Sequence, residues 1–266
     1  MKGPSRGRTT AVLGAVLMGL LAVTAAAHAE PSLVAVIIDD LGNTRAEAER
    51  TAALPGAFTC SVLPHTPYAV LVAEACRDAG KEVFVHLPMQ PEDPTARPGP
   101  GVLLIGQTRD ELRDILRADL ASVPGAVGVN SHMGSLLTRH VAYMDWVMAE
   151  LAAREPLLFV DSATTAQSVA LRVAVDYGLP TARRDVFLDE DPSPVAIRAE
   201  WARVTEIAKK QGTALAIGHP RDATLEFLAT EMERVSAGDI IVVSVAELVR
   251  ARDQKGQQSW QRFSSR

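Results

Sequence analysis

Acidic and histidine side chains follow most of the short apolar runs of this sequence. In chain order the groups are Asp39-Asp40, Pro64-His65, His86, Asn130-Ser131-His132, Asp161-Ser162, Asp189 and Gly218-His219. Carboxylate and imidazole ligands suit a borderline divalent cation, and zinc is the expected metal. A free carboxylate and a further histidine beside such an ion could serve as general base and general acid. The residue types therefore predict a metal-dependent hydrolytic site.

Each group also has an ordinary structural explanation when it is taken alone. Asp39-Asp40 fits a strand-to-loop turn, and Asp161-Ser162 fits the N-cap of a helix. A lone histidine between apolar neighbours, such as His86, is typical of a buried and hydrogen-bonded core residue. His65 follows a proline and fits an exposed loop, so we keep it outside the predicted site. The interpretation as a site depends on whether the groups converge.

The apolar runs lack polar alternation, which is typical of parallel strands buried on both faces. They predict strands at residues 33–38, 57–63, 82–85, 126–129, 157–160, 186–188, 213–217 and 240–243. Helical patterns separate them at residues 44–53, 69–79, 108–122, 141–153, 168–177, 194–211 and 224–235. This alternation predicts an α/β fold with a parallel sheet or barrel, whose carboxyl strand ends lie on one face.

The composition restricts the classes of partner. The chain has 266 residues, a net charge of −5 and 5% aromatic residues, which argues against binding nucleic acid. Hydrophobic residues make up 47% of the chain, enough for a large core that needs no disulfide or metal to stabilise it. Export would make a disulfide between Cys60 and Cys76 possible, but the sequence does not show whether their Cβ atoms meet, and we expect two buried free thiols.

The N-terminus has the features of a secretory signal peptide. A basic start is followed by an apolar stretch at 11–27 and by the small-x-small sequence Ala27-His28-Ala29. We expect a signal peptide at 1–29, a folded domain at 30–252 and a polar tail at 253–266. The protein is then exported, to the periplasm, without a stable membrane span after cleavage; a retained anchor is the alternative.

Six segments together give the sequence a family resemblance. They are VIIDDLG at 36–42, HLPMQP at 86–91, GVNSHMGS at 128–135, FVDS at 159–162, RDVFLD at 184–189 and GHP at 218–220. The chain resembles the divergent polysaccharide deacetylases, relatives of the NodB-like carbohydrate esterases. The resemblance covers nearly all of the mature chain and implies a distorted (β/α) barrel of about seven strands.

The resemblance also implies roles for the polar groups. Asp39 is the expected catalytic base, His219 the catalytic acid, and Asp161 a third catalytic residue that orients His219 or binds substrate. Asp40, His86 and His132 are the expected metal ligands. His132 is included because Gln90 stands where the superfamily has a second histidine, one helical turn after the first. Asn130 and Ser162 are expected to bind substrate.

The implied activity is hydrolysis of a carbon–nitrogen bond other than a peptide bond, removing acetyl groups from an N-acetylated polysaccharide or envelope glycan. The substitution at Gln90 motivates an alternative, a weak or inactive descendant that binds a glycan or an envelope partner. A metal-dependent phosphoesterase ranks third, because the carboxylate-rich set for two metals is missing. A serine hydrolase ranks lower still, since the sequence contains no G-x-S-x-G elbow.

Overall fold

A computed structural model describes residues 1, 3, 31–153, 157–235 and 238–264. Apart from residues 1 and 3, the predicted signal peptide lies outside them. The strands are β1 (Ser32–Leu41), β2 (Thr59–Val62), β3 (Glu82–Met89), β4 (Gly128–Met133), β5 (Leu158–Asp161), β6 (Thr181–Arg183), β7 (Val186–Phe187), β8 (Thr213–Gly218) and β9 (Ile240–Val242). The helices are α1 (Arg45–Ala53), α2 (Ala69–Asp78), α3 (Arg109–Ser122), α4 (Val141–Ala152), α5 (Ala170–Asp176), α6 (Pro194–Gln211), α7 (Asp222–Val235) and α8 (Val245–Ser264), with a 3₁₀ turn at Leu137–Arg139.

The strands form one curled parallel sheet in the order β6-β5-β4-β3-β2-β1-β8-β7, and β9 pairs with β1. At the two ends of this order, β6 and β7 are nearly continuous in the chain. Arg184 N donates to Asp161 O of β5, and Asp185 N donates to Leu215 O of β8. The predicted distorted (β/α) barrel is confirmed. The sequence pattern misses β6, because its sequence, Thr-Ala-Arg, contains one apolar residue and so forms no apolar run.

The two faces of the sheet have separate cores. Alternate residues of a strand point to opposite faces. On the inner face, Ala35 and Ile37 of β1 pack with Phe84, Val160 and other residues of the barrel interior. The outer face packs against the helices in a larger cluster, which contains Val34, Val36 and Ile38. The next inward position after Ile37 is Asp39. The polar residues at the carboxyl ends of the strands therefore lie directly above the apolar residues of the barrel interior.

Helix α8 seals the opposite end of the barrel interior. Val245, Leu248 and Val249 belong to the interior cluster. The carboxylate of Glu82, at the start of β3, accepts hydrogen bonds from Val245 N and Ala246 N at the start of this helix. The residues predicted as a polar tail from 253 continue α8 to Ser264. None of the helices in the described part of the chain combines the length and hydrophobicity needed to cross a membrane.

The strands that bear the site are longer than their apolar runs. β1 extends through Asp39 and Asp40 to Leu41, β3 extends through His86 to Met89, and β4 extends to Met133. An apolar pattern stops at the first polar residue, whereas the ladder of backbone hydrogen bonds continues. Asp39, Asp40, His86 and His132 therefore stand on strands rather than on loops.

The prediction of two free thiols is wrong, because Cys60 of β2 and Cys76 of α2 form a disulfide. Both residues face the outer core cluster and are fully buried. Their Cα atoms are 6.5 Å apart, within the range that a disulfide spans. The apolar patterns of strand and helix were correct, but only the packing of α2 on β2 brings the two sulfur atoms together.

Reduction of this disulfide should lower the free energy of unfolding by about 3 kcal/mol, because the unfolded chain loses a cross-link that closes a loop of 16 residues. Urea unfolding with and without a thiol reductant measures the change. The Cys60→Ala/Cys76→Ala variant is the control and should not respond to reductant. A wild-type stability that is indifferent to reductant would contradict the prediction.

Candidate metal and hydrolytic site

A bulge at the end of β1 turns two consecutive carboxylates toward one site. Neighbouring residues of a regular strand would point to opposite faces. Here the pairing of β1 with β2 shifts register between Ile38 and Leu41, and Asp40 adopts a left-handed conformation with φ 58°. Aspartate tolerates this region better than most residues, and bulges commonly re-aim a side chain. Asp39 keeps its inward position, and Asp40 joins it.

Two adjacent parallel strands supply the imidazoles. β3 and β4 pair His86 with Asn130 and Pro88 with His132. Since His86, Asn130 and His132 all occupy inward positions, their side chains meet above the barrel interior. His86 Nε2 and His132 Nδ1 lie 3.1 Å apart. The rings stand edge to face, with an interplanar angle of 67°.

The three predicted metal ligands form a near-equilateral triangle. Asp40 Oδ1 lies 3.0 Å from His132 Nδ1 and 3.2 Å from His86 Nε2, and the two nitrogen atoms are 3.1 Å apart. Neighbouring ligands of one zinc ion have similar separations when each lies about 2.0–2.2 Å from it. Asp40 Oδ1 is buried and has no hydrogen bond of good geometry. A buried, underused carboxylate oxygen between two imidazole nitrogens fits a cation site.

The electrostatics of the group favour charged side chains. Burial opposes the ionisation of Asp40, but the close contacts with His132 and His86 and the charges of these imidazoles outweigh it and hold the pKa of Asp40 far below its usual range. Burial likewise opposes protonation of His86, yet the charge of Asp39 and the contacts with Asp40 raise its pKa. The side chain of His86 is 3% exposed and that of Asp40 36%, so solvent reaches the site from the side of Asp40.

His219, after β8, stands on the opposite side of Asp40. Its Nε2 lies 3.5 Å from Asp40 Oδ2, and its Nδ1 bonds Asp189 Oδ1 at 2.9 Å. Asp189 is fully buried and also accepts hydrogen bonds from His219 N and Thr224 Oγ1. Burial opposes protonation of His219, but its hydrogen bond to Asp189 and the charges of Asp39, Asp189 and Asp40 raise its pKa. Nε2 of His219 is thereby turned toward the site.

Asp161 lies outside this group, contrary to the expectation that it orients His219. On β5, Val160 faces the barrel interior, whereas Phe159 faces the helices. Asp161 therefore shares the outer face with Phe159. Its Oδ1 accepts a hydrogen bond from Ala163 N, and its Oδ2 lies 4.0 Å from Arg183 Nε. The carboxylate on His219 is Asp189 instead.

The sequence matches the family profile described as "Divergent polysaccharide deacetylase" over residues 36–249. The chain belongs to this family. The matched range begins in β1 and ends in α8. It therefore includes all the groups of the site, and the expected family membership is confirmed.

Relatives of this deacetylase-family chain come from several bacteria. The uncharacterized protein YibQ of Escherichia coli K12 is 35% identical over 222 residues, which cover 81% of this chain and 67% of YibQ. An uncharacterized protein of Haemophilus influenzae Rd is 30% identical over 219 residues, covering 82% of this chain and 77% of the relative. The crystal structure of the uncharacterized protein ATU2773 from Agrobacterium tumefaciens C58 has a TM-score of 0.79 at 23% identity, covering 83% of this chain and 90% of that one. This last likeness supports the fold.

Gln90, from one of the family segments, and His65, from a strand end, make contacts outside the group of predicted metal ligands. Gln90, which stands where the resemblance implies a second histidine, accepts a hydrogen bond from Ile105 N at 2.7 Å and so fixes the Pro- and Gly-rich loop before α3. His65 bonds the buried Asp119 of α3 at 2.8 Å. Neither belongs to the group of Asp40, His86 and His132. His65 was kept outside the predicted site, and the structure agrees.

Sequence reasoning missed two inward residues. Ser61 of β2 donates to Asn130 Oδ1 at 2.5 Å. Arg184, between β6 and β7, donates to the carbonyl oxygens of Ser162 and Ala163 and lies over the ring of Phe187. Ser61 alternates with Cys60 and Val62, which face the helices, and Arg184 comes two residues after the interior Ala182. Strand period would therefore have found both residues once the inner face was known. Asp189 was visible at a strand end, but nothing in the sequence linked it to His219.

The buried carboxyl of Asp119 should make stability depend on pH. Burial raises its pKa to about 8, above the ordinary value of 3.8. A raised folded-state pKa means that stability from the protonated form is complete below about pH 4 and is lost as the pH rises to about 8. Asp119→Asn is neutral throughout. Its Tm relative to wild type should therefore increase between these two pH values.

Asp114→Asn, on an exposed position of the same helix, is the matched control and should give a nearly constant Tm difference. If Asp119 is instead already ionised in the folded protein at about pH 4, the Tm of Asp119→Asn relative to wild type would not increase over this range. That result would overturn the prediction.

Proposed function

We propose that the protein is a metal-dependent deacetylase that hydrolyses acetamido groups of an N-acetylated polysaccharide or envelope glycan. Membership of the divergent polysaccharide deacetylase family supports the reaction class. The observation that carries the proposal is the convergence of Asp40, His86 and His132 beside a buried acid and a paired histidine. In this proposal the enzyme is a hydrolase of carbon–nitrogen bonds other than peptide bonds.

Asp40, His86 and His132 would hold the cation, which we propose to be zinc. Their donor set of one carboxylate and two imidazoles suits zinc and leaves coordination free for water or substrate. When bound, such an ion supplies Lewis acidity and makes a nucleophile available near neutral pH. The buried Asp40 Oδ1, which lacks a hydrogen bond of good geometry, supports this assignment.

Asp39 and His219 would serve as the general base and the general acid of the reaction. Asp39 is 3% exposed, and its Oδ2 lies 3.5 Å from His86 Nε2. The carboxylate is therefore close enough to take a proton from a water at the site. His219 Nε2 would protonate the departing amine. Asp189 would hold the ring of His219 in orientation and stabilise its charged form, through the bond at Nδ1. These roles stay predictions until they are measured.

Purified protein should bind about one zinc ion per chain, and loss of one ligand should abolish most of that binding. Zinc affinity should fall in each of the three variants Asp40→Ala, His86→Ala and His132→Ala. The decrease should exceed the roughly 10–100-fold that loss of a supporting contact costs. Zinc affinity is measured by competition with a chromophoric chelator. His65→Ala is the control and should bind zinc as wild type does. Equal and negligible zinc in wild type and variants would refute the metal site.

Acetylated chito-oligosaccharides with added divalent metal test the activity. His219→Ala should lower kcat by about 10²–10⁴-fold, because the leaving amine loses its acid. Asp189→Asn should also be impaired, whereas Asp161→Asn should keep most of the activity, since Asp161 faces the helices. Wild-type activity in His219→Ala would refute the assigned acid. Tight glycan binding without turnover on any acetylated oligosaccharide would favour the alternative of an inactive glycan-binding protein.

We further propose that the protein acts after export, in the periplasm. The sequence of residues 1–29 supports export. The Cys60–Cys76 disulfide supports it independently, because disulfides persist in oxidising compartments. An envelope glycan as substrate would be accessible there.

A further inference from the structure

Asn130 lies at the centre of the site with all of its side-chain hydrogen-bonding capacity in use. Its Nδ2 lies 2.8 Å from Asp39 Oδ1 and 3.2 Å from Ser162 Oγ. Its Oδ1 lies 2.5 Å from Ser61 Oγ and 3.2 Å from His86 Nδ1. An amide has two donors and two acceptor positions, so four partners satisfy it completely. Asn130 is also fully buried, which leaves no group free for a sugar.

The carboxylate of Asp39 determines which way the amide points. An ionised carboxylate only accepts hydrogen bonds, so the amide atom 2.8 Å from Asp39 Oδ1 must be the nitrogen. The reversed amide would place two acceptors in contact. With the nitrogen toward Asp39, the carbonyl oxygen must face Ser61 and His86.

The amide orientation in turn determines the tautomer of His86. A carbonyl oxygen cannot donate, so His86 Nδ1 must carry the hydrogen that bonds to it. In the neutral ring, Nε2 is then the nitrogen with the lone pair. That atom faces Asp40 Oδ1 and His132 Nδ1, at 3.2 and 3.1 Å. The chain of donors and acceptors from Asp39 to His86 thus has one consistent arrangement.

We infer that Asn130 is a positioning residue, which couples the carboxylate of Asp39 to the metal-binding tautomer of His86, rather than a substrate-binding residue. The inference rests on the proposed function only where it calls Asp39 the base and His86 a metal ligand. Ligating histidines usually donate their second ring N–H to a carboxylate or carbonyl, which fixes the ring and raises ligand affinity. Here a side-chain amide fills that position and also holds the base.

Two substitutions separate the two halves of the amide. Asn130→Ala removes the acceptor for His86 and the donor for Asp39. Asn130→Asp keeps the shape and the acceptor for His86, but it replaces the amide donor to Asp39 by a second carboxyl group. The matched control is Asn43→Ala, which changes the chain's other asparagine at an exposed loop position. Zinc affinity, deacetylase kcat and the ring ¹⁵N shifts of His86 are measured for each.

Wild-type protein and Asn43→Ala should show His86 protonated at Nδ1, and zinc should bind equally to both. Asn130→Ala should bind zinc about 10–100-fold more weakly and lose the single Nδ1–H tautomer. Asn130→Asp should keep the tautomer and bind zinc within about threefold of wild type, while kcat falls by about 10²-fold or more. Wild-type zinc affinity and tautomer in Asn130→Ala would overturn the inference, as would wild-type kcat in Asn130→Asp.

The tautomer measurement keeps this inference separate from the proposed function. If wild-type protein binds no zinc and hydrolyses no glycan, the proposed function fails. The ¹⁵N spectrum of the metal-free protein at alkaline pH still shows whether Asn130 selects the Nδ1–H form. If Asn130→Ala does not fold, Asn130→Asp alone decides, because loss of its Nδ1–H tautomer would overturn the inference.

Discussion

The buried carboxylate of Asp39 needs a hydrogen-bond donor inside the sheet, and the amide of Asn130 supplies it. Burial without a partner would cost an ionised group several kcal/mol. The two residues come from strands that are not neighbours, since β2 and β3 lie between β1 and β4. The contact therefore exists only because the sheet curls until its inward side chains meet across the interior. The orientation of His86 depends on this same contact.

Curvature places a polar layer above an apolar one. Below the site, Ile37, Phe84, Val160 and Ile217 fill the interior, and α8 closes the far end. One inward step higher, the same strands carry Asp39, His86, Ser162 and His219. The apolar layer excludes water from beneath the site, which strengthens the hydrogen bonds of the polar layer. Within that layer, Asn130 satisfies both Asp39 and His86.

Backbone strain concentrates at the same rim. The four described residues other than glycine with positive φ are Asp40, His65, Met133 and Ala163. Each lies at or just after the end of a barrel strand, and each marks the point where the chain leaves the sheet. Such conformations cost of order 1–3 kcal/mol each and persist where the surroundings hold them. At Asp40 this conformation turns the carboxylate toward the imidazoles of His86 and His132.

The sequence alone determined the alternation of strands and helices and the polar residues at strand ends. It also indicated Asp40, His86 and His132 as one group, because carboxyl ends of parallel strands share a face and the family motifs occur in order. Those inferences use local pattern and residue chemistry, which each segment contains by itself.

Only the tertiary structure decided which side chains touch. Asp161 and Ser162 are consecutive in the sequence, but strand period sends one toward the helices and the other into the interior. Asp189 and His219 are separated by 30 residues, and their contact follows from the pairing of β7 with β8. Cys60 and Cys76 form a disulfide because α2 packs on β2. Partners such as these are set by sheet curvature and helix packing, which no single segment of the sequence encodes.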